Sequence, residues 1–329
     1  MARPSYSNLH PVDQILTGIV SEAVPSDAQL IADRVMERVD IPERSGTLLV
    51  ENTRSFMGAP EADSRRAPGA GRQSLSSFNR SSLTFKAEIH SFEDSIAMED
   101  IEDSQYPGTE EARSARKVRR ALLLAQEKRC ADLLFGSSFT SATPGTKFDA
   151  AGAEPLTYIH QQLDTLRATN HGISADTIVL GYNVFRALAR NPEIRSFVGD
   201  SSQGVASGNR ILADDAVLEV LRSVLAVPNV YVGSARRETA IPGATSSEAD
   251  IWNTETIGLY ILRGSDAIAQ KSGGVKALPV AALNMQYKGL QAGQYDSLDL
   301  VRRHVWGEHV QQFRLVDADR GLRLTDCLT

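Results

Sequence analysis

Six histidines, two cysteines and one dense run of carboxylates are the side chains of this 329-residue chain best suited to chemistry. A histidine acts as a general acid–base or a metal ligand only with a second group held beside it. His10, His90, His160, His171, His304 and His309 are scattered. The nearest pair, His304 and His309, are five apart, which on a strand puts them on opposite faces and rules out shared ligation. Cys130 beside Lys128 and Arg129 has the electropositive neighbours that lower a thiol pKa, but no base accompanies it. Cys327 stands almost at the end, and the two cysteines make no disulfide or metal spacing, so a reducing compartment is expected.

The carboxylates crowd into residues 88–103, EIHSFEDSIAMEDIED, which hold seven acids and no Lys or Arg. Glu93, Asp94, Glu99, Asp100, Glu102 and Asp103 are numerous enough for a divalent cation. The run nevertheless lacks the ligand spacing and central glycine of a calcium loop, so it reads better as an acidic partner stretch. No phosphate-binding loop, dinucleotide fingerprint or nucleophile elbow occurs. No catalytic constellation, cofactor site or metal site is therefore expected. With 42% hydrophobic residues the chain can bury a real core, and its length suits two or three domains. A formal charge of -6 argues against a nucleic-acid coat, as does the absence of interleaved aromatic and basic residues. No signal peptide or apolar run of about 20 residues is present, so a soluble, unsecreted protein without membrane association is expected.

Directly after the acids comes the longest regular element, residues 110–136, EEARSARKVRRALLLAQEKRCADLLFG. Ala115, Val118, Leu122, Ala125 and Leu133 recur at helical spacing, widened by Ala121 and Leu124, with Arg113, Lys117, Arg120 and Glu127 as polar flanks. Thr109 is the expected N-cap and Gly136 the stop. Such a helix is about 40 Å long at 1.5 Å per residue, which demands a large sheet, a coiled coil or a strut to lie on. Arg113, Arg116, Lys117, Arg119, Arg120, Lys128 and Arg129 make it predominantly basic. Its basic face is either solvated or meets nucleic acid or acid, the latter in this chain or in a neighbour; single surface pairs contribute about 0–1 kcal/mol and act mainly on orientation.

Around the helix, residues 1–45 carry short apolar groups broken by Pro11, Pro25 and Pro42, an arm without a core of its own. Strands are expected at 47–50 and 82–89, joined by a Gly/Ala/Pro/Ser/Arg-rich excursion that needs a partner to cover it. Residues 155–168, the short helix ending at Asn191-Pro192, and 216–225 read as helices; 177–181, 227–238 and 257–264 read as strands, an α/β alternation. Residues 297–313 read as a long, partly exposed strand or strand pair rather than core, and 321–329 as a final strand and tail. The class is α+β.

That order, together with the strings KRCADLLFG, ADTIVLGYNVFRALARNPEIRSFV, VPNVYVGSARRE, IWNTETIGLYILRG and WGEHVQQFRLVDADRGLRL, resembles the major capsid proteins of tailed double-stranded DNA bacteriophages, the HK97-like fold family. The likeness covers nearly the whole chain from about residue 12. It implies an N-terminal arm at 1–45, an extended β-hairpin loop at 46–90, a peripheral domain at 91–150 and 291–320 carrying the helix as its spine, and an α/β axial domain at 151–290. It further implies self-assembly as hexamers and pentamers in an icosahedral head, assembled in the host cytoplasm, with a portal protein, decoration protein in some cases, and packaged DNA bound without sequence specificity. The chain begins almost directly with the arm, so the resemblance implies a separate scaffolding protein. Arg54, Arg65, Arg66, Arg72 and Arg80 would contact the adjacent subunit, and Arg116, Lys117, Arg119 and Arg120 would form an inner-face or inter-subunit basic patch. Some relatives crosslink through a loop lysine; Lys86, the sole lysine of 46–90, lies at the loop's base, which argues against that chemistry. An encapsulin-type shell holding enzyme cargo shares the fold and is the alternative; an unrelated α/β enzyme is a second one.

Overall fold

The computed structural model describes residues 12–22, 25–36, 38–51, 80–103, 108–199, 213–241, 243–263, 276–277, 280–297 and 301–329. The arm begins with helix α1 (Gln14–Ser21), started by the Asp13 carboxylate, which accepts from the N–H groups of Ile15 at 2.8 Å and Leu16 at 3.2 Å. A short 3-10 turn (Pro25–Gln29) leads into α2 (Ala32–Val35) and strand β1 (Arg38–Asp40). As its prolines imply, the arm has no separate core: Leu16 and Val20 pack among Ile96, Ala115, Ala292 and Val305 of distant elements.

Strands β2 (Ser45–Glu51) and β3 (Arg80–Lys86) pair antiparallel from Ser45↔Lys86 to Glu51↔Arg80. The expected single strand at 82–89 is divided. β3 ends at Lys86, and beyond the buried Ala87, β4 (Glu88–Ala97) belongs to another sheet. Helix α3 (Met98–Glu102) precedes the long helix α4 (Thr109–Leu134). Thr109 is the first helical residue rather than the cap: Gly108 takes that place at φ 81°, a left-handed conformation that glycine adopts freely.

After α4 come β5 (Thr140–Ala142), α5 (Pro155–Thr169), β6 (Thr177–Gly181), α6 (Tyr182–Arg190), α7 (Pro192–Gly199), α8 (Asp214–Val224), β7 (Asn229–Gly233), the hairpin β8 (Arg236–Glu238) and β9 (Glu248–Asp250), and β10 (Ile257–Tyr260). The chain closes with β11 (Lys276–Ala277), β12 (Ala282–Ser297), β13 (Arg302–Leu315) and β14 (Gly321–Leu324).

A five-stranded sheet of order β5-β14-β10-β6-β7 centres the α/β part. Strand alternation sends Ile178 and Leu180 into one core with α5, α6 and α8, and Val179 into another with Cys130, Leu134, Trp252 and Tyr260. The end of α4 thus covers the face opposite the other helices. A four-stranded sheet of order β1-β12-β13-β4 holds the long strands. Contrary to expectation, residues 305–311 of β13 are all buried, because β13 is an inner strand flanked by β12 and β4 with α4 across one face. A Cβ on Gly307 would stand 2.9 Å from Val118 and 3.2 Å from Leu122, so glycine sets how closely helix and sheet meet. β12 spans residues 282–297, with irregular pairing to β13 between Gln286 and Gln291.

Candidate functional site

The site that unifies the molecule is the polar lining of α4. At its N-terminal end Glu111 accepts from Arg303 Nη1 at 2.9 Å, and Arg303 Nε reaches Asp296 at 2.7 Å, so the helix start is tied to both long strands. One turn on, Asp94 accepts from Ser114 Oγ at 2.8 Å and Lys117 Nζ at 2.5 Å. Burial pushes the Asp94 carboxyl up, but Lys117 and Ser114 outweigh it and hold the group below its ordinary range. Arg119, buried, donates to Asp27 Oδ2 at 2.5 Å, and Arg120 reaches the other oxygen at 3.4 Å. Of the four residues expected as a basic patch, three therefore pair within the chain, and Arg116 is exposed.

The arm is then gripped a second time. Gln126 donates to Asp33 at 2.6 Å, and Asp33 also accepts from Arg38 Nε at 3.0 Å. Glu127, assigned to a polar flank by its type, is instead completely buried. Its Oε1 accepts from Ile31 N at 3.0 Å and Trp252 Nε1 at 2.6 Å, and its Oε2 from Ala32 N at 2.9 Å. A side chain of α4 thus supplies the N-terminal acceptor that α2 lacks locally. Burial raises the Glu127 carboxyl pKa although all three donors favour the charged form. One carboxylate joins arm, long helix and the loop that follows β9.

Near the C-terminal end of α4, Arg129 Nη2 lies 3.0 Å from His309 Nε2, and the His90 ring is 5.4 Å from that of His309. Burial first, and then Arg129, pushes His309 down to about 3 and lowers His90 as well. His304 sits on the other face of β13, stacked on Tyr295 at 4.9 Å, as the spacing requires. Cys130 is fully buried, and burial pushes its thiol pKa well up, outweighing the electropositive neighbours that its sequence offers. Two carbonyls at the helix end also find side-chain donors, Leu134 O the Tyr260 hydroxyl and Phe135 O, at the cap, Arg323 at 2.8 Å.

The other acids are divided. Glu93 accepts from the Tyr295 hydroxyl at 3.0 Å. Glu99 and Asp100 on α3, with Glu102 and Asp103 at its end, are exposed. Among the described residues no cluster of three His, Cys, Asp or Glu could hold a metal, and no helix is long and apolar enough to cross a membrane. Arg54, Arg65, Arg66 and Arg72 lie outside the described residues, and Arg80 opens β3. Composition alone misses Glu127, Asp27, Asp33 and Trp252. The available signal was register, since 126 and 127 continue the 115, 118, 122 stripe and a polar residue there must be buried with partners.

Such a lining fastens the arm, the long helix and the sheets to one another. No family model matches the chain. Two proteins described as major capsid proteins are similar in sequence. That of Burkholderia phage BcepMu is 22% identical over 261 residues, covering 78% of each chain. That of Pseudomonas phage JBD67 is 24% identical over 267 residues, covering 78% of this chain and 79% of its own. In structure, the capsid of Myoviridae phage XM1 superposes with a TM-score of 0.53 at 12% identity over 98% of this chain and 99% of that one.

The chain has the HK97-like fold of phage major capsid proteins. A phage-related protein of Bordetella bronchiseptica RB50 shares it more closely, with a TM-score of 0.68 at 17% identity over 97% of this chain and 98% of the other. A virus-like particle protein from Pyrococcus furiosus shares it at TM-score 0.50 and 8% identity, over 92% of this chain and all of that one. These likenesses, in sequence over about four-fifths of the chain and in fold over nearly all of it, are to phage capsid proteins and phage-related proteins.

Proposed function

We propose that the protein assembles as hexamers and pentamers into an icosahedral phage head enclosing double-stranded DNA. The observation that carries this is the likeness to phage capsid proteins over most of the chain, joined to a subunit whose buried polar lining fastens an arm without its own core to one long helix. In this reading α4 is the spine of a peripheral domain, residues 151–290 form the axial domain, and the extended loop at 46–90 lies over an adjacent subunit with Arg54, Arg65, Arg66, Arg72 and Arg80 making ionic contacts. Scaffolding, portal and decoration proteins are its partners in the host cytoplasm, and it resides in the virion. Arg116 and the outer flank of Lys117 remain at the surface for an inner-face or inter-subunit role. Weak copy-to-copy contacts suffice, because a closed symmetric shell repeats each one many times.

Electron microscopy of the purified protein across concentration and salt tests this. Icosahedral shells or capsomer rings are expected; a monodisperse monomer under every condition would refute it. A cargo-holding shell is the second reading, kept in view by the likeness to the Pyrococcus furiosus particle. Nuclease-protected DNA in particles from infected cells separates the two.

A further inference from the structure

Helix α4 lies on both large sheets in turn. Its C-terminal end is seated on the five-stranded one through Cys130, Leu134 and the Tyr260 hydroxyl. Its N-terminal half is fixed to the four-stranded one by Glu111 and Arg303 at 2.9 Å, by Ser114 and Asp94 at 2.8 Å, and by Val118 and Leu122 lying close over Gly307. Where the helix passes from one sheet to the other, Arg129 Nη2 stands 3.0 Å from Nε2 of the buried His309 on β13. His309 in turn is paired directly across the ladder with His90 of β4, their ring centroids 5.4 Å apart.

A guanidinium only donates, so His309 Nε2 is the acceptor and the single ring proton sits on Nδ1. That tautomer has no room for a second proton, because protonated Nε2 and Arg129 would set two charged donors face to face. The surroundings hold no spare acid. From α4 comes Arg129, whose Nε is buried without a partner among the described residues. From β4 come His90 and the exposed Glu88, which attracts Arg129. Arg38 of β1 adds another cation; Asp33 of α2 accepts from it at 3.0 Å and from Gln126 at 2.6 Å, and Asp40 also faces it. Each carboxylate thus already answers an arginine, and an imidazolium on His309 would stand directly opposite His90, where like charges weaken a strand pair.

We propose that this stack is an acid-released joint: a proton on His309 or His90 frees the 307–311 part of β13 and the 88–92 part of β4 from Arg129, while the opposite end of the same ladder stays fixed to α4. The fixed end is held by groups that acid reaches later. Asp94, despite its burial, is kept below the ordinary carboxylate range by Lys117 and Ser114, and Asp296 by Arg303. One end of the sheet therefore loosens in a pH range where the other does not, and β4, an edge strand, has no second neighbour in its sheet to hold it at His90. The joint belongs to the single chain and stands whether or not copies associate.

Hydrogen exchange of the full-length, unassembled chain at pH 7 and pH 5, corrected for the intrinsic rate, tests the joint. His309 titrates at about 3 while covered and at its ordinary value once released, which makes opening about twentyfold more frequent over that interval. Peptides holding 88–92 and 307–311 should lose protection by about tenfold or more, and those holding 94–97 and 302–305 by about threefold or less. His90→Gln combined with His309→Gln keeps an acceptor for Arg129 and removes both titrating rings, so its 88–92 and 307–311 peptides should also change by about threefold or less. The ring nitrogen shifts of isotope-labelled wild-type protein give a reading that needs no variant: His309 should carry its proton on Nδ1 at pH 7 and remain neutral at pH 5. A proton on Nε2 at pH 7, equal loss of protection at both ends of the ladder, or a double variant that loosens in acid as wild type does would each overturn the proposal.

Discussion

Replacing Glu127 offers the sharpest perturbation of the junction. In Glu127→Ala the N–H groups of Ile31 and Ala32 and the indole N–H of Trp252 all lose their acceptor. A buried unsatisfied donor costs about 1–3 kcal/mol, and relief from burying a charge offsets part of the sum, leaving a net loss of about 2–6 kcal/mol. Glu127→Gln keeps one oxygen, which can serve Ile31 and Trp252, but turns an amide NH2 toward the Ala32 N–H, a loss of about 1–3 kcal/mol. Urea midpoints of unassembled protein should therefore rank wild type above Gln above Ala. Hydrogen exchange across residues 25–36 should accelerate at least tenfold in Glu127→Ala, because that stretch is held through these amides and through Asp27. The pH dependence has a definite sign. Below about 4.5 the carboxyl is protonated in both states; as pH rises past that value the unfolded chain ionises first, since burial raises the folded pKa. Wild type thus loses stability relative to Glu127→Gln over that rise, and the gap between them narrows. An Ala variant within about 0.5 kcal/mol of wild type, with unchanged exchange over 25–36, would refute the assignment of Glu127 as the joint; such a difference is typical of a surface change.

Two further outcomes are expected. Gly307→Ala should cost about 1–3 kcal/mol by overpacking, since its Cβ would meet Val118 and Leu122 at 2.9 and 3.2 Å, and Val118→Ala in the same chain should recover part of the loss; additive effects in the double-mutant cycle would deny the contact. His309, pushed down to about 3 in the fold, is neutral in both states above about 6.5, but below that the unfolded chain takes up a proton that the folded one refuses. Stability should fall with pH between those limits by up to about 1.4 kcal/mol per unit, a slope that His309→Gln reduces and that parallel wild-type and variant profiles would contradict.

The parts of the fold legible in sequence are those where local pattern and tertiary role agree. Helix α4 spans residues 109–134 against an expected 110–136, because Ala115, Val118 and Leu122 mark its packed face at helical spacing. The wholly apolar TIVLG at 177–181 is an inner strand, buried at every position. Illegible were residues whose burial depends on what arrives from elsewhere. Trp306 and Val310 lie among His, Glu and Gln in WGEHVQQF, a polar-looking string, yet flanking strands and α4 bury all of it up to Gln311. Ala87 fails differently: nothing in SLTFKAEI marks where the chain leaves one sheet for another, since both halves alternate equally well. Glu127 resembles its exposed neighbours until the α2 amides and the Trp252 indole are placed around it.

These misreadings share a physical cause that bears on assembly. The N-terminal half of α4 looks like a docking face for an external acid because its cations outnumber its anions locally, yet Asp27 and Asp94, remote in sequence, neutralise most of it within the subunit. Asp27 belongs to the arm, which has no core of its own. The arm's position therefore depends on the helix, and the hiding of the helix charge depends on the arm: if the arm detached, Arg119 and Arg120 would lose Asp27 and Glu127 would lose the Ile31 and Ala32 amides, keeping only the Trp252 indole. An arm anchored at several points moves with the long helix rather than independently of it. Removing Asp27 alone would leave the Glu127 contacts standing, so the arm should loosen in stages rather than release at once.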